Sequence, residues 1–176
     1  MNPLKILSEK QKKEIEQKLN GQFGISKIPG KIVMRGGERL FLYSGSLDEK
    51  EIRELEETIF IERIGIYLAK IEESGEIRLS IEGTQILGKQ IKKNIIEIDE
   101  KLTEQWMKGS EILFEDIEKS LTIKSSSKGR AIGGGIEKPR GFVVIKYKNE
   151  FLGTGKASEE KISNFIPKNR RLKGKN

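Results

Sequence analysis

Hydrophobic spacing in the first ninety residues predicts two amphipathic helices. Ser8 and Gln11 have the spacing of a capping box, so we expect a helix that begins after Ser8 and ends near Leu19, before Asn20-Gly21. A second capping-box pattern begins at Ser46 and predicts a helix that runs to about residue 58. Apolar residues recur at helical spacing in both segments, which indicates that each helix buries one face.

Four segments between and after these helices have the pattern of strands. The Gly36-Gly37 dipeptide separates two of them and is typical of a hairpin turn. The predicted strands cover residues 31–34, 38–43, 64–72 and 75–81, and a short helix is expected at 83–89. We therefore predict a small α+β domain with an antiparallel sheet over residues 1–90.

The pattern changes after residue 90 and becomes rich in strands. Asp99 is placed to cap a helix that reaches Trp106 and ends at Gly109. Strands are expected at residues 95–98, 111–114, 121–124, 130–136, 141–147 and 151–156, with turn residues between them. So many short strands in about 85 residues indicate a small barrel, which closes to remove its edges. The fold class is thus α+β, with a second domain over residues 91–176.

Charge is distributed unevenly between the two halves. Residues 1–90 contain 15 basic and 15 acidic residues, whereas residues 91–176 hold the whole net charge of +7. Residues 121–176 alone contain 14 basic and 4 acidic residues. Such a gradient is typical of a protein whose C-terminal part binds a polyanion, although a solvated basic surface has the same composition.

The composition also restricts the chemistry that is possible. The chain has no cysteine and no histidine, which excludes disulfides, zinc fingers, thiol nucleophiles and the usual general base at neutral pH. We expect a protein that is not an enzyme and that needs no metal or cofactor. The N-terminus has no signal-peptide pattern, and no apolar run is long enough to span a membrane, so a cytoplasmic location without membrane contact is expected.

Ten basic residues are candidates for binding RNA. Lys146 and Lys148 alternate with Ile145 and Tyr147, so we expect both on one face of a strand, where a row of cations can contact successive phosphates. About half of the candidates are expected to be ordinary surface charges. The candidate set is Lys128, Arg130, Lys138, Arg140, Lys146, Lys148, Lys156, Lys168, Arg170 and Arg171.

Two other features have more than one interpretation. Gly153-Thr154-Gly155-Lys156 lacks the spacing of a phosphate-binding loop, and its glycines favour a strand that another backbone or a ligand approaches closely. Trp106, the only tryptophan, is expected to anchor the core, with a base-stacking role as the alternative.

Several stretches of the second half resemble a PUA domain, a compact RNA-binding pseudo-barrel. The resemblance covers residues 94–98, the helix that ends at Lys108-Gly109, and the hairpin with residues 141–145 and 151–155. The ending Asn164-Phe165-Ile166-Pro167 through Leu172 is similar to the PUA-like C-terminus of some rRNA cytosine-5 methyltransferases. The two-domain layout also resembles the Nip-type ribosome-biogenesis factors, in which an α+β pre-PUA domain precedes the PUA domain.

The resemblance implies a non-catalytic protein that binds structured rRNA or tRNA and assists RNA modification or ribosome assembly. It implies RNA contacts for Lys138, Arg140, Lys146, Lys156, Arg170 and Arg171. Phe165, Ile166 and Leu172 are expected to dock the basic tail against the barrel. The alternative is a protein-interaction adaptor, whose N-terminal domain docks an RNA methyltransferase or an assembly factor.

Overall fold

The chain folds into two compact units, residues 1–93 and 94–176. A computed structural model describes residues 3–126 and 139–174, and for residues 121–126 it describes the backbone alone. None of the helices in these ranges is both long and apolar enough to cross a membrane.

Unit 1 is an antiparallel five-stranded sheet with helices, in which the strands follow each other in chain order. Its strands are β1 (Lys5–Ile6), β2 (Lys31–Arg35), β3 (Arg39–Tyr43), β4 (Ile66–Ile71) and β5 (Ile77–Leu79). Its helices are α1 (Glu9–Phe23), α2 (Glu49–Thr58) and α3 (Ile81–Ile86), followed by a 3-10 turn at Gly88–Gln90. Leu4, Val33, Phe41, Tyr43 and Ile52 form a core between the sheet and α2.

Both predicted helices of unit 1 exist, but their ends differ from the prediction. Ser8 and Gln11 form the expected capping box on α1, yet the helix continues past Gly21 and ends at Gly24, whose φ is 78°. A glycine inside a helix costs about 1 kcal/mol, which the burial of Phe23 two residues later offsets. The capping box of α2 uses Asp48 and Glu51, two residues later than the pattern at Ser46 predicted.

Unit 2 contains a second five-stranded sheet, which curls into a half-barrel in the order β6-β8-β9-β10-β7. Its strands are β6 (Ile95–Glu97), β7 (Ile112–Leu113), β8 (Gly141–Tyr147), β9 (Glu150–Ala157) and β10 (Lys161–Asn164). Its helices are α4 (Glu100–Met107), α5 (Phe114–Ser126) and a 3-10 turn at Lys168–Arg170. β6 runs parallel to β8, and the other neighbours are antiparallel. The α+β class predicted from the sequence is confirmed.

The strand prediction for residues 121–124 is wrong, because these residues belong to α5. Their β-branched residues suggested a strand, but the helix that starts at Phe114 continues through them. The predicted strand at 130–136 lies outside the described residues. β10 was not predicted, because its four residues lack a longer alternating pattern.

Asp99 ties the two helices of unit 2 together. Its side chain caps α4 by accepting a hydrogen bond from the backbone N–H of Leu102 at 2.9 Å. The hydroxyl of Ser120 on α5 donates to the other carboxylate oxygen at 2.5 Å. The predicted cap is thus confirmed, and it also fixes α5 against the start of α4.

Candidate nucleic-acid interface

The β8–β9 hairpin places two lysines and two aromatic rings on one face of the sheet. Phe142 is paired with Lys156, and Lys146 with Phe151. Directly opposed residues in an antiparallel pair share a face, and so do residues two apart along β8. We call this surface, defined by Phe142, Lys146, Phe151 and Lys156, the hairpin face.

Each lysine of the hairpin face lies beside the ring of its cross-strand partner. The Nζ atom of Lys156 is 5.5 Å from the centroid of the Phe142 ring, and the Nζ atom of Lys146 is 5.8 Å from that of Phe151. These distances allow cation–π attraction, which holds an ammonium group over a ring while it stays accessible to solvent. Phosphate oxygens are natural ligands for such ammonium groups.

Phe165 extends the hairpin face with a third aromatic ring. Its centroid is 5.9 Å from that of Phe142, and the two ring planes are inclined by 51°. Phe142 is buried, whereas 38% of Phe165 is exposed. An exposed ring next to a lysine can stack against an unpaired base, the contact that proteins commonly use with single-stranded nucleotides.

The two glycines of the Gly153-Thr154-Gly155 motif shape the hairpin. Gly153 has a φ of 90° and lies at the shift of register between β8 and β9. A Cβ on Gly155 would lie 2.8 Å from both the carbonyl oxygen of Ser163 and the ring of Trp106. The close approach of the Ser163 backbone and the Trp106 ring, which the sequence analysis allowed for, explains Gly155 better than phosphate binding does.

Trp106 anchors the core of unit 2, as expected, and does not stack on RNA. Its side chain is fully buried, and its indole N–H donates to the carbonyl of Leu152 at 2.9 Å. The Trp106 ring packs against Gly155 of β9. Because Gly155 and its neighbour Lys156 point to opposite faces of the strand, Trp106 lies on the side of β9 opposite the hairpin face.

The chain after β10 docks against the C-terminal end of α4. The Asn164 side-chain amide donates to the carbonyls of Trp106 and Ser110 at 2.8 and 3.0 Å, and its oxygen accepts from the N–H of Ile166 at 2.7 Å. Ile166 is buried. Leu172 was expected to pack its side chain, but 53% of that side chain is exposed and its backbone N–H bonds to the carbonyl of Met107 at 2.9 Å.

Arg171 is used to build this docked segment. Its Nε–H donates to the carbonyl of Ile166 at 3.0 Å, and its side chain lies so close to Gly109 that a Cβ there would collide with it. Arg171 is half-buried. Lys168 and Arg170, on the 3-10 turn just before it, are exposed.

Lys148 does not lie in a row with Lys146. β8 ends at Tyr147, and Lys148 occupies the turn with a φ of 51°. Its Nζ is 4.8 Å from the centroid of the Tyr147 ring, and interaction with the Tyr147 side chain, together with the charge of Glu100, raises the pKa of Lys148. The predicted shared strand face is therefore wrong for Lys148, which lines a depression with Glu97, Glu100 and Glu104.

The structure thus brings together part of the predicted set. Lys146 and Lys156 share the hairpin face, and Arg140 is exposed next to the start of β8. Lys128, Arg130 and Lys138 lie outside the described residues. An RNA contact stays a prediction for every member of the set.

Sequence reasoning did not single out Phe142 and Phe151, and it named Phe165 only as a residue that docks the tail against the barrel. Phe151 could have been found from the hairpin, since the turn at residues 148–149 sets it opposite Lys146. The same register would set Phe142 opposite Gly155, and the shift of register near Gly153 brings Lys156 there instead. Phe165 carries no such signal, because its contact with Phe142 depends on how the tail docks.

Comparison with known families agrees with this geometry. Residues 93–172 match the family model described as the methyltransferase RsmF PUA domain. Unit 2 contains a PUA domain. It resembles the C-terminus of rRNA methyltransferases, as the sequence had suggested. No curated protein matched the chain. A PUA domain indicates RNA binding, and the hairpin face and the docked tail lie within its matched residues.

Proposed function

We propose that this protein is a non-catalytic RNA-binding protein that recognises structured rRNA or tRNA through its PUA domain. The observation that carries the proposal is the hairpin face inside that domain, where Lys146 and Lys156 each lie beside an aromatic ring. Cations that contact phosphates and rings that stack on bases are the two means by which proteins bind exposed nucleotides.

In this proposal the two lysines supply most of the affinity, and the rings favour unpaired nucleotides. Each ammonium group would neutralise one phosphate and release a condensed counterion. Phe165 would stack on a base that is displaced from a loop or a helix end. Arg140, Lys168 and Arg170 would extend the contact along the RNA backbone.

The proposed biological role is assistance in RNA modification or ribosome assembly. The family model that matches unit 2 describes the PUA domain of a methyltransferase, which supports a connection with modified RNA. The 176 residues contain no cysteine, the nucleophile that cytosine-5 methyl transfer requires, and this supports a non-catalytic role. A cytoplasmic location fits the same role.

The proposal can be tested by fluorescence anisotropy with labelled tRNA and an rRNA hairpin over a series of salt concentrations. Affinity should fall steeply with salt, with a slope set by the number of neutralised phosphates. The K146A and K156A variants should each bind more weakly, and each should reduce the slope by about one.

Lys101 provides the matched control, because it is an exposed lysine of the same unit that lines the acidic depression beside α4. K101A should leave both the affinity and the salt slope unchanged. A flat salt response of the wild type, or equal losses in all three variants, would contradict the proposal.

A second candidate function is that of an adaptor, in which unit 1 docks an RNA methyltransferase or an assembly factor. The observation that favours it is the exposure of Ile59 and Phe60 on unit 1, at 55% and 67%. Solvent-exposed apolar side chains that adjoin each other often mark a protein interaction surface.

A further inference from the structure

The C-terminal end of α2 and the loop after it expose neighbouring apolar side chains. Leu55, Ile59 and Phe60 are 39%, 55% and 67% exposed. Ile59 and Phe60 line a groove of about 570 Å³ together with Pro3, Arg53, Glu56, Glu57, Thr58 and Ile61, and Leu55 lies next to it on α2. We call the groove and the side chains of Leu55, Ile59 and Phe60 the α2 rim.

The α2 rim is held in place by contacts with the sheet. The Arg35 guanidinium on β2 lies 5.2 Å from the centroid of the Phe60 ring. Arg35 also donates to the carbonyl of Ile61 and pairs with Glu56 at 3.7 Å. These contacts fix both sides of the groove, so a partner would not have to order it on binding.

The loop residues after Phe60 anchor the rim from within. Ile61 and Ile64 pack against the core of unit 1, whereas Ile59 and Phe60 face solvent. The outward position of two large apolar residues is therefore compatible with a fixed loop. Each exposes apolar surface whose burial against a partner would favour binding.

The rim is acidic, in contrast to the basic chain as a whole. Residues 49–63 contain six acidic and three basic residues, and Arg35 adds a fourth cation beside Phe60. Three of these four cations are already paired, Arg35 with Glu56 at 3.7 Å, Lys50 with Glu54 at 3.6 Å and Arg53 with Glu49 at 2.5 Å. Glu57 and Glu62 are exposed, and no ion pair in the described ranges compensates them.

The acidic charge of the α2 rim indicates which kind of molecule can bind there. RNA and anionic membranes would be repelled by the glutamates. A second copy that docked in a two-fold interface would bring two identical acidic rims together, which like-charge repulsion opposes. A protein segment with one apolar face and one basic face meets no such penalty.

We propose that the α2 rim binds a cationic amphipathic helix of a partner protein. The apolar side chains of that helix lie on Ile59 and Phe60, and its lysines or arginines lie beside Glu57 and Glu62. This inference gives the adaptor candidate a surface and a partner chemistry, and it is independent of RNA binding by the PUA domain.

The test uses the full chain and two labelled synthetic helices that share a leucine face. One carries lysines on its polar face and the other carries glutamates, and fluorescence anisotropy measures their binding. The Leu/Lys helix should bind the wild type, and its affinity should fall about tenfold or more in F60S and in E57K. Because both side chains are exposed, the variants should keep the wild-type melting temperature.

Ile86 supplies a matched control, since it is an apolar residue of unit 1 that is 36% exposed and outside the rim. I86S should bind the Leu/Lys helix like the wild type. Failure of the wild type to bind that helix, or equal binding by F60S and E57K, would overturn the proposal. So would a wild-type dimer in sedimentation velocity that F60S abolishes, because the occupant would then be a second copy.

Anisotropy with tRNA, run on the same samples, separates the two functions. F60S and E57K should retain wild-type RNA affinity. Loss of RNA binding in K146A and K156A with intact helix binding would support both proposals, whereas absence of wild-type RNA binding would refute the RNA function alone.

Discussion

Gly155 is the residue at which the hairpin, β10 and the α4 tryptophan meet. Its missing side chain lets the Trp106 ring and the Ser163 carbonyl reach the backbone of β9. Because Lys156 follows directly and points to the other face, the packing at Gly155 supports the lysine of the hairpin face. One small residue thus links core packing with the candidate interface.

We predict that G155A destabilises unit 2 by about 1–3 kcal/mol, the usual cost of an extra methyl group in a filled core. Thermal unfolding followed by near-UV circular dichroism of Trp106 would measure the loss. G174A is the control, since a Cβ there meets nothing within 4 Å, and it should leave the transition in place. An unchanged melting temperature for G155A would show that the contacts at Gly155 are loose.

Glu72 carries a pH-dependent contribution to the stability of unit 1. Partial burial would raise its pKa, but the hydrogen bond and charge of Arg78, with the charge of Lys70, outweigh burial and lower the pKa below 4.5. The Nε atom of Arg78 lies 2.7 Å from the carboxylate. A lowered folded-state pKa means that the stabilisation is complete above the unfolded pKa and disappears as the pH falls through the folded value.

We therefore predict that E72Q lowers the free energy of unfolding by about 1 kcal/mol or less at neutral pH. The difference from the wild type should shrink as the pH falls through the folded-state pKa and vanish below it, where both side chains are uncharged. Urea titrations at several pH values would show this. E73Q, at an exposed neighbouring glutamate, should follow the wild type, and a constant E72Q deficit at all pH values would contradict the assignment.

The candidate site was predictable from the sequence only where local pattern decides the position. Alternation in β8 and β9 located Lys146 and Lys156 correctly in strands. Arg171 looked like a free cation, but it packs on Gly109, which lies 62 positions earlier and is brought close by the fold. Such long-range contacts have no signature in a basic tail.

At the scale of elements, predictions are again good where the local sequence pattern decides the structure and poor where long-range contacts decide it. The helix α4 and the strands β8 and β9 have strong caps, turns or alternation, and the structure contains all three. Residues 121–124 of α5 were predicted as a strand, because their β-branched residues outweighed the longer helical context. β1 and β10 are short, and they become strands through pairing with β2 and β9.

The docked tail is the element that connects the stability of the PUA domain with its candidate interface. Asn164 and Ile166 tie it to α4, and Phe165 places a ring against Phe142. Lys168 follows two residues after Ile166, so docking sets where the first basic residue of the tail lies. The tail is therefore expected to contribute to folding and to binding.

We predict that deletion of residues 164–176 lowers the melting temperature and weakens RNA binding. Loss of the buried Ile166 side chain alone should cost about 1.5–3 kcal/mol. A K168Q variant separates the two effects, because Lys168 is exposed and the docking contacts stay, so affinity should fall without loss of stability. A deletion that unfolds and binds like the wild type would show that the tail serves neither purpose.

At the scale of the whole molecule, the two units differ in charge and in exposed surface. The net charge of +7 resides in residues 91–176, while the first ninety residues are neutral overall and present an acidic, apolar rim. A cationic PUA domain and an acidic docking surface would let one chain hold RNA and a basic protein partner. In the two proposals, unit 2 binds RNA and unit 1 binds the protein partner.

The most direct test of the central claim is crosslinking of the protein to RNA in its native extract, followed by sequencing of the bound fragments. We predict enrichment of a defined rRNA or tRNA element by the wild type and by K101A, and its loss in a K146A/K156A variant. No enrichment over a charge-matched control protein, or equal enrichment by the double variant, would contradict RNA binding by the hairpin face.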